Sequence, residues 1–364
     1  MDVSEIDTPS LIVDLDIMER NLCRVAEYTR QHQLRLRPHT KTHKSTRIGR
    51  RQLDAGAVGL TVAKVSEGEV MLGADPPDLL VAYPIIGQSK LARLTEIARR
   101  AHVTVALDST FAAHQLSDAA RAAQVEIGVL AETDVGLGRV GVDPNQQLLR
   151  LAQSIEKLPH LTLEGITFYP GQIKGADQDG LRELAHVAEL LRETLDQFHA
   201  AGIEPKIVSG GSTPTLFHSH EVKGLNEIRP GTYVYNDINT IRSGGCTLAD
   251  CAASLLTTVV STAVPGQMIV DGGSKTFSSD RLANSNELTF GHVIEAPGAR
   301  FHKMNEEHGY IDITRAERQF QIGDRVRIIP NHICVAVNLH EQMYGIRGEQ
   351  VEEVWKVEGR GKLQ

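Results

Sequence analysis

Asp78-Leu-Leu-Val-Ala82, then a segment carrying Leu91, Leu94, Ile97 and Ala98, then Val103-Thr-Val-Ala106, is the stretch on which the fold is read. Two short, mainly apolar runs flank a stretch whose apolar residues recur every three or four positions. A run of that length and composition fits a strand covered on both faces, and the three-four spacing fits one buried stripe of a helix. Strand, helix, strand is the repeating step of a parallel α/β fold.

The same step extends in both directions. Between residues 34 and 235, eight runs read as buried parallel strands: Leu34–Pro38, Gly59–Ala63, Asp78–Ala82, Val103–Ala106, Glu126–Glu132, Leu163–Phe168, Lys206–Ser209 and Glu227–Arg229. The first and last are short and polar. Helix-length segments lie between most of them, as with Leu181, Leu184, Val187, Leu190 and Leu191. Eight strands alternating with helices predict an α/β (β/α)8 TIM barrel; an open doubly wound sheet is the competitor and usually has fewer strands.

After residue 240 the texture changes. Leu255–Ala263, Met268–Asp271, Gly309–Ile313, Arg325–Ile329 and Val351–Val357 are rich in β-branched residues and bounded by Gly and Pro, with no long helix between them. These predict an antiparallel β domain. The expected organisation is a barrel over 21–240, a β domain over 241–364, and an N-terminal segment, 1–20, whose run Ser10–Leu15 joins the β domain.

Bulk properties narrow the function classes. The formal net charge of -8 and the absence of a long basic run argue against nucleic acid or anionic membrane as partner. No apolar stretch approaches the roughly 18 residues of a membrane span. The acidic, polar start is unlike a secretory signal, and four cysteines without CxxC spacing do not read as a disulfide framework. A cytoplasmic protein is expected.

A barrel builds its active site at the carboxyl ends of its strands. Arg37-Pro-His39-Thr-Lys41-Thr-His43-Lys44 follows the first strand, and cationic neighbours favour the neutral, nucleophilic form of a lysine amine. Lys41 is therefore a Schiff-base candidate, against the ordinary reading of a solvated lysine. Arg139 lies in the Gly-rich loop Asp134–Gly141 after strand five; it either faces a cofactor or pairs with Glu132 or Asp134. Tyr169 caps strand six, as packing or as a group that contacts a cofactor or moves a proton. Ser209-Gly210-Gly211-Ser212-Thr213 follows strand seven. Its glycines let backbone N–H groups approach an anion and its hydroxyls add donors, so it reads as a phosphate site at the usual place for this fold. In the second domain, Pro330-Asn-His332-Ile-Cys334 ends a β run. In a strand, residues two apart share a face, so His332 and Cys334 can present imidazole and thiolate to one divalent cation, a pair that suits zinc. Alone, a buried cysteine beside a satisfied histidine is the commoner explanation.

Thr8-Pro-Ser-Leu11, the octapeptide at 37–44, Asp134-Val-Gly-Leu-Gly-Arg139, Gly210-Gly-Ser-Thr213, Glu307-His-Gly309 and the run from Pro330 to His340 together resemble the D-threonine aldolase and D-serine dehydratase family, alanine-racemase-like pyridoxal phosphate enzymes. The resemblance spans nearly the whole chain. It implies Lys41, Tyr169 and His39 as catalytic residues, and Arg139, Tyr169, Tyr233 and the 209–213 loop around the cofactor. It also implies a divalent metal (Zn, Mn or Mg) on His332 and Cys334, and a homodimer with its active site near the interface. The implied substrate is a small D-configured β-hydroxy amino acid. The implied reaction is retro-aldol cleavage to glycine and an aldehyde; dehydration of D-serine or 3-hydroxy-D-aspartate to a keto acid and ammonia is the alternative. The aldolases carry His-x-Asp where this chain has His332-x-Cys334, and His-Gly where it has Pro170-Gly171. Two other classes stay open: a non-catalytic pyridoxal phosphate carrier, which resembles the barrel alone, and a metal-dependent hydrolase.

Overall fold

The computed structural model describes every residue of the 364 except Asn284. Contacts divide the chain into two compact units. Met1–Cys23, Thr42–Ser45 and Thr232–Gly361 form one, and Arg24–Lys41, Thr46–Gly231 and Lys362–Gln364 form the other. The first strand, β1 (Ser10–Asp14), belongs to the first unit.

The second unit holds the strands β2 (Arg35–Leu36), β3 (Leu60–Val62), β4 (Asp78–Val81), β5 (His102–Leu107), β6 (Ile127–Thr133), β7 (Leu161–Phe168), β8 (Ile207–Gly210) and β9 (Glu227–Ile228). Each of the eight expected runs is found as a strand. They form one parallel sheet in the order β2-β9-β8-β7-β6-β5-β4-β3. The two ends meet. His39 forms a parallel bridge with Thr61, the Thr61 amide donates to the Pro38 carbonyl at 2.9 Å, and the Val58 amide donates to Leu36 at 2.8 Å. The short polar strand β2 thus closes the barrel through the residues that lead to Lys41.

Burial explains why these segments are strands. Every residue of β6 is buried, as expected where one face lines the barrel and the other lies under helices. The helix Gln88–Ala98 buries Leu91, Leu94 and Ile97, and Gln178–Ala200 buries Leu184, Val187 and Leu191. Each fully buried leucine stabilises by about 1.5–3 kcal/mol. Asp177 caps the longer helix by accepting from the Gly180 amide, meeting one of the orphan donors of its first turn.

In the first unit, β1 lies among β10 (Ala253–Ser261), β11 (Gln267–Val270), β12 (Gly291–Val293), β13 (Arg300–Met304), β14 (Gly309–Asp312), β15 (Arg325–Pro330), β16 (Gln342–Arg347) and β17 (Gln350–Lys356). β1 pairs antiparallel with β10 and parallel with β16. The other strand pairs of this unit are antiparallel, as expected for the second domain, and β1 with β16 adds one parallel pair. Sequence reading passed over β12, β13 and β16, which are short or mix polar with apolar residues. It also passed over the helix Ile333–Leu339, about two turns that follow β15 and whose apolar residues read like a continuing strand.

Candidate functional site

The barrel interior is unusually polar. Arg37 is 1% exposed and sits between two carboxylates. Its Nε and Nη2 donate to Glu227 Oε2 at 3.0 and 2.9 Å, and its Nη1 donates to Asp78. Glu227 also accepts from the Ser209 hydroxyl at 2.8 Å; Ser209 in turn accepts from Arg229 Nη1 at 2.6 Å, and Arg229 Nη2 donates to the Phe168 carbonyl. Burial works against the charge of Arg37, but Glu227 and Asp78 outweigh it, so its pKa lies above the ordinary arginine value and the guanidinium holds its proton more firmly. Arg37 was expected to help neutralise Lys41. The structure corrects this: Arg37 points into the barrel and its charge is already paired. Ser209, counted as a phosphate ligand, is fully buried and bonded to Glu227 and Arg229.

The carboxyl ends of the strands carry the other candidates of this unit. Lys41 is exposed and follows β2; its amide contacts His39 Nδ1 at 3.4 Å. Tyr169 directly follows β7, and the Arg139 guanidinium stacks on its ring, 4.9 Å from the centroid. Arg139 stands in a loop wound around Asp134, whose carboxylate accepts from the amides of Gly136, Leu137 and Gly138. Asp134 is therefore spent on its own loop, and none of the ion pairs among the described residues includes Arg139.

After β8 the chain turns through Gly211, at φ +82°, into Ser212 and Thr213, which are 5% and 9% exposed. A Cβ at position 210 would overlap the buried ring of Phe168, so glycine alone fits there. Among the described residues no backbone hydrogen bond uses the amides of 211, 212 or 213. Amides left without partners in a glycine turn, beside two sheltered hydroxyls, suit a bound phosphate. With Lys41 on the same rim, the residues present fit pyridoxal phosphate.

In the other unit, His332 and Cys334 lie at a helix N-terminus. His332 is the extended residue capping Ile333–Leu339, and Cys334 is in its first turn. The expectation that strand alternation pairs them is thus corrected. The bend from extended into helical backbone brings them together, close enough for the sulfur to favour the cationic ring. Asp237 orients the ring. Its Oδ2 lies 3.1 Å from His332 Nδ1 and accepts from the Ile333 amide, while its Oδ1 caps the helix Ile238–Arg242. With Nδ1 held by Asp237, Nε2 is the nitrogen left for a metal. Burial disfavours the cationic ring, but Cys334 and Asp237 overcome it and raise His332 to about 11. The Cys334 sulfur is 3.2 Å from the hydroxyl of Thr42, the residue after Lys41. No group of three or more His, Cys, Asp or Glu among the described residues forms a metal cage. A nitrogen–sulfur pair with its orienting carboxylate fits an open divalent site that leaves coordination positions for a substrate. Tyr233 is buried in the turn Thr232–Val234.

Sequence reading named Glu132 only as a possible partner of Arg139 and missed Thr167 and Asp237. Glu132, at the end of β6, is 6% exposed and its Oε2 has no hydrogen-bond partner; Thr167 on β7 likewise has a buried, unpartnered hydroxyl. A glutamate inside a run meant to be buried on both faces was the one available signal, since buried carboxylates are rare unless paired. Nothing local marks Asp237, which lies 95 residues from His332.

Residues 13–238 match the family model described as alanine racemase, N-terminal domain, and residues 252–346 match a serine dehydratase domain. The chain is 32% identical over 373 residues to a 3-hydroxy-D-aspartate aldolase of Paracoccus denitrificans, covering all of this chain and 94% of that one. It is 31% identical over 352 residues to a D-threo-3-hydroxyaspartate dehydratase of Delftia, covering 90% and 91%. The crystal structure of D-threonine aldolase from Filomicrobium marinum superposes with a TM-score of 0.93 at 30% identity, over 99% of this chain and 98% of that one. An alanine-racemase-like barrel followed by a serine dehydratase domain, related end to end to such proteins, makes this chain a member of the D-threonine aldolase and D-serine dehydratase family.

Proposed function

We propose that the protein is a pyridoxal phosphate- and divalent-metal-dependent lyase of D-configured β-hydroxy amino acids, cleaving them to glycine and an aldehyde. The observation that carries this reading is the barrel rim, where Lys41 shares one set of strand ends with a glycine turn of uncommitted amides. The aldolase names among the relatives support the choice of reaction.

Lys41 would hold the cofactor through its amine. The amides of 211–213 and the hydroxyls of Ser212 and Thr213 would hold its phosphate, with Arg139 and Tyr169 beside its ring. Bound there, pyridoxal phosphate supplies an electron sink for negative charge developing at the substrate Cα. His332 Nε2 and Cys334 would hold a divalent metal, which would supply Lewis acidity toward a substrate hydroxyl. Asp237, bonded to Nδ1, orients the imidazole so that Nε2 would be the nitrogen offered to the metal.

Dehydration to a keto acid and ammonia is the second reading, favoured by the thiol ligand. A D-threo-3-hydroxyaspartate dehydratase was also solved as a cysteine-to-alanine variant in the metal-free form. In that reaction Lys41 takes the α-proton; in cleavage the proton to be removed is that of the β-hydroxyl. Incubating the protein with D-threonine and 3-hydroxy-D-aspartate, then assaying glycine against keto acid, separates the two. Glycine and aldehyde are expected. Keto acid and ammonia without glycine would overturn the aldolase reading, and no cofactor band at Lys41 would overturn both.

A further inference from the structure

Glu132 is a buried acid that the roles above leave unused. In the barrel ladder it is level with Thr167, Thr167 with Ser209, and Ser209 with Glu227, so four neighbouring strands contribute one polar layer. Three cations lie in or below that layer, namely Arg37, Arg229 and His102. Three carboxylates answer them: Glu227 and Asp78 around Arg37, Glu227 bridged to Arg229 through Ser209, and Asp78 with Glu164 around His102. Arg35, largely at the surface, also lies 3.7 Å from Glu227, and among the described residues none of these cations is ion-paired to Glu132. Arg229 has hydrogen-bonded both terminal nitrogens elsewhere, and Glu132 Oε2 faces no donor. On the same rim stands Arg139, seven residues on, stacked on Tyr169 of the adjacent strand and in none of the ion pairs among the described residues.

We propose that Glu132 is a positioning residue for Arg139, its uncommitted Oε2 being the acceptor that fixes the guanidinium at the barrel mouth when the cofactor site is filled. This rests on the reading of the rim as a pyridoxal phosphate site. The charged neighbours of Glu132 are Arg229, Arg139, Asp108 and Asp134. Burial raises its carboxyl to about 7; Arg229 and Arg139 work against the rise, and the two aspartates add to it. Asp134 accepts from the amides of its own loop and Asp108 from the Gly141 amide, so both carboxylates are engaged elsewhere. The carboxyl therefore becomes a full anion at neutral pH only when a cation comes to it, and cation and anion order each other.

The test uses the full-length apo-protein, titrated with pyridoxal phosphate at pH 8 and followed at the cofactor absorbance, alongside the melting temperature of the apo form. Glu132→Gln and Arg139→Ala should each weaken cofactor binding about tenfold or more, the loss expected for one charge-assisted hydrogen bond. The double variant should be no weaker than Arg139→Ala alone. Wild-type affinity should rise from pH 6 to pH 8 as Glu132 ionises, and that slope should vanish in Glu132→Gln. Apo Glu132→Gln should melt no lower than wild type, because it removes a carboxyl whose ionisation burial opposes; a purely structural role requires a lower melting point. Glu132→Asp, which keeps the charge, should recover part of the affinity, and it serves if the glutamine variant fails to fold. Wild-type affinity in Glu132→Gln, or losses that multiply in the double variant, would overturn the proposal. Failure of the wild type itself to bind pyridoxal phosphate would sink the reading beneath it as well, and is seen in the first titration.

Discussion

Replacing Glu227 by Gln tests whether the polar barrel interior is a structural keystone. Glu227 is completely buried and its two oxygens accept from Arg37 Nε, Arg37 Nη2 and Ser209 Oγ. The amide keeps the shape but removes the charge that answers Arg37 and, through Ser209, Arg229. Breaking a buried pair from one side costs about 3–5 kcal/mol, because a cation stays buried without compensation. Asp78 still pairs with Arg37, which places the expected loss near the low end, about 3 kcal/mol. For a unit of this size each kcal/mol lowers the melting temperature by about 2–4 °C, so a fall of about 6–12 °C is expected. Calorimetry and urea unfolding should agree on it. The paired replacement Arg37→Met with Glu227→Leu removes both charges and should cost less than Glu227→Gln alone. A drop under about 2 °C, or a paired variant worse than the single one, would show that the network does not balance charge as argued.

His102 is raised to about 10 by Asp78 and then Glu164, against burial. Its contribution to stability is therefore complete below its ordinary value of 6.5 and lost as pH climbs through about 10; His102→Gln should flatten the fall in urea midpoint over that window. Gly210→Ala drives a methyl group into the ring of Phe168, so it should lose about 1–3 kcal/mol in urea unfolding, as overpacking does. A chelator should abolish turnover while leaving the cofactor spectrum in place, and added divalent metal should restore activity to wild type but not to His332→Ala; retained activity after chelation would remove the metal from the reaction.

Much of the barrel could be read from the chain because its signal is local. A strand covered on both faces is apolar over most of its length, and a helix packed on it must carry an apolar stripe, so most elements announce themselves within a dozen residues. Even the short runs Leu34–Pro38 and Glu227–Arg229 were legible, since the alternation left places for them. The β unit was less so: β12, β13 and β16 have one wet face or few residues, and the apolar helix Ile333–Leu339 imitates a strand. The candidate residues Lys41, Arg139, Tyr169 and 210–213 were found because a parallel barrel gathers its strand ends on one rim, and that rule needs only strand order.

By itself, then, the chain determined the strand order, the rim and the residue types on it, all consequences of short-range hydrophobic periodicity and a single topological rule. Tertiary structure alone decided where charge goes. It turned Arg37 inward to Glu227 and Asp78, bonded Ser209 to Glu227 and Arg229, left Glu132 and the 211–213 amides uncommitted, and set Asp237 behind His332. Those partners lie up to 190 residues apart, and an ion pair depends on distance and desolvation in space, which no local pattern encodes.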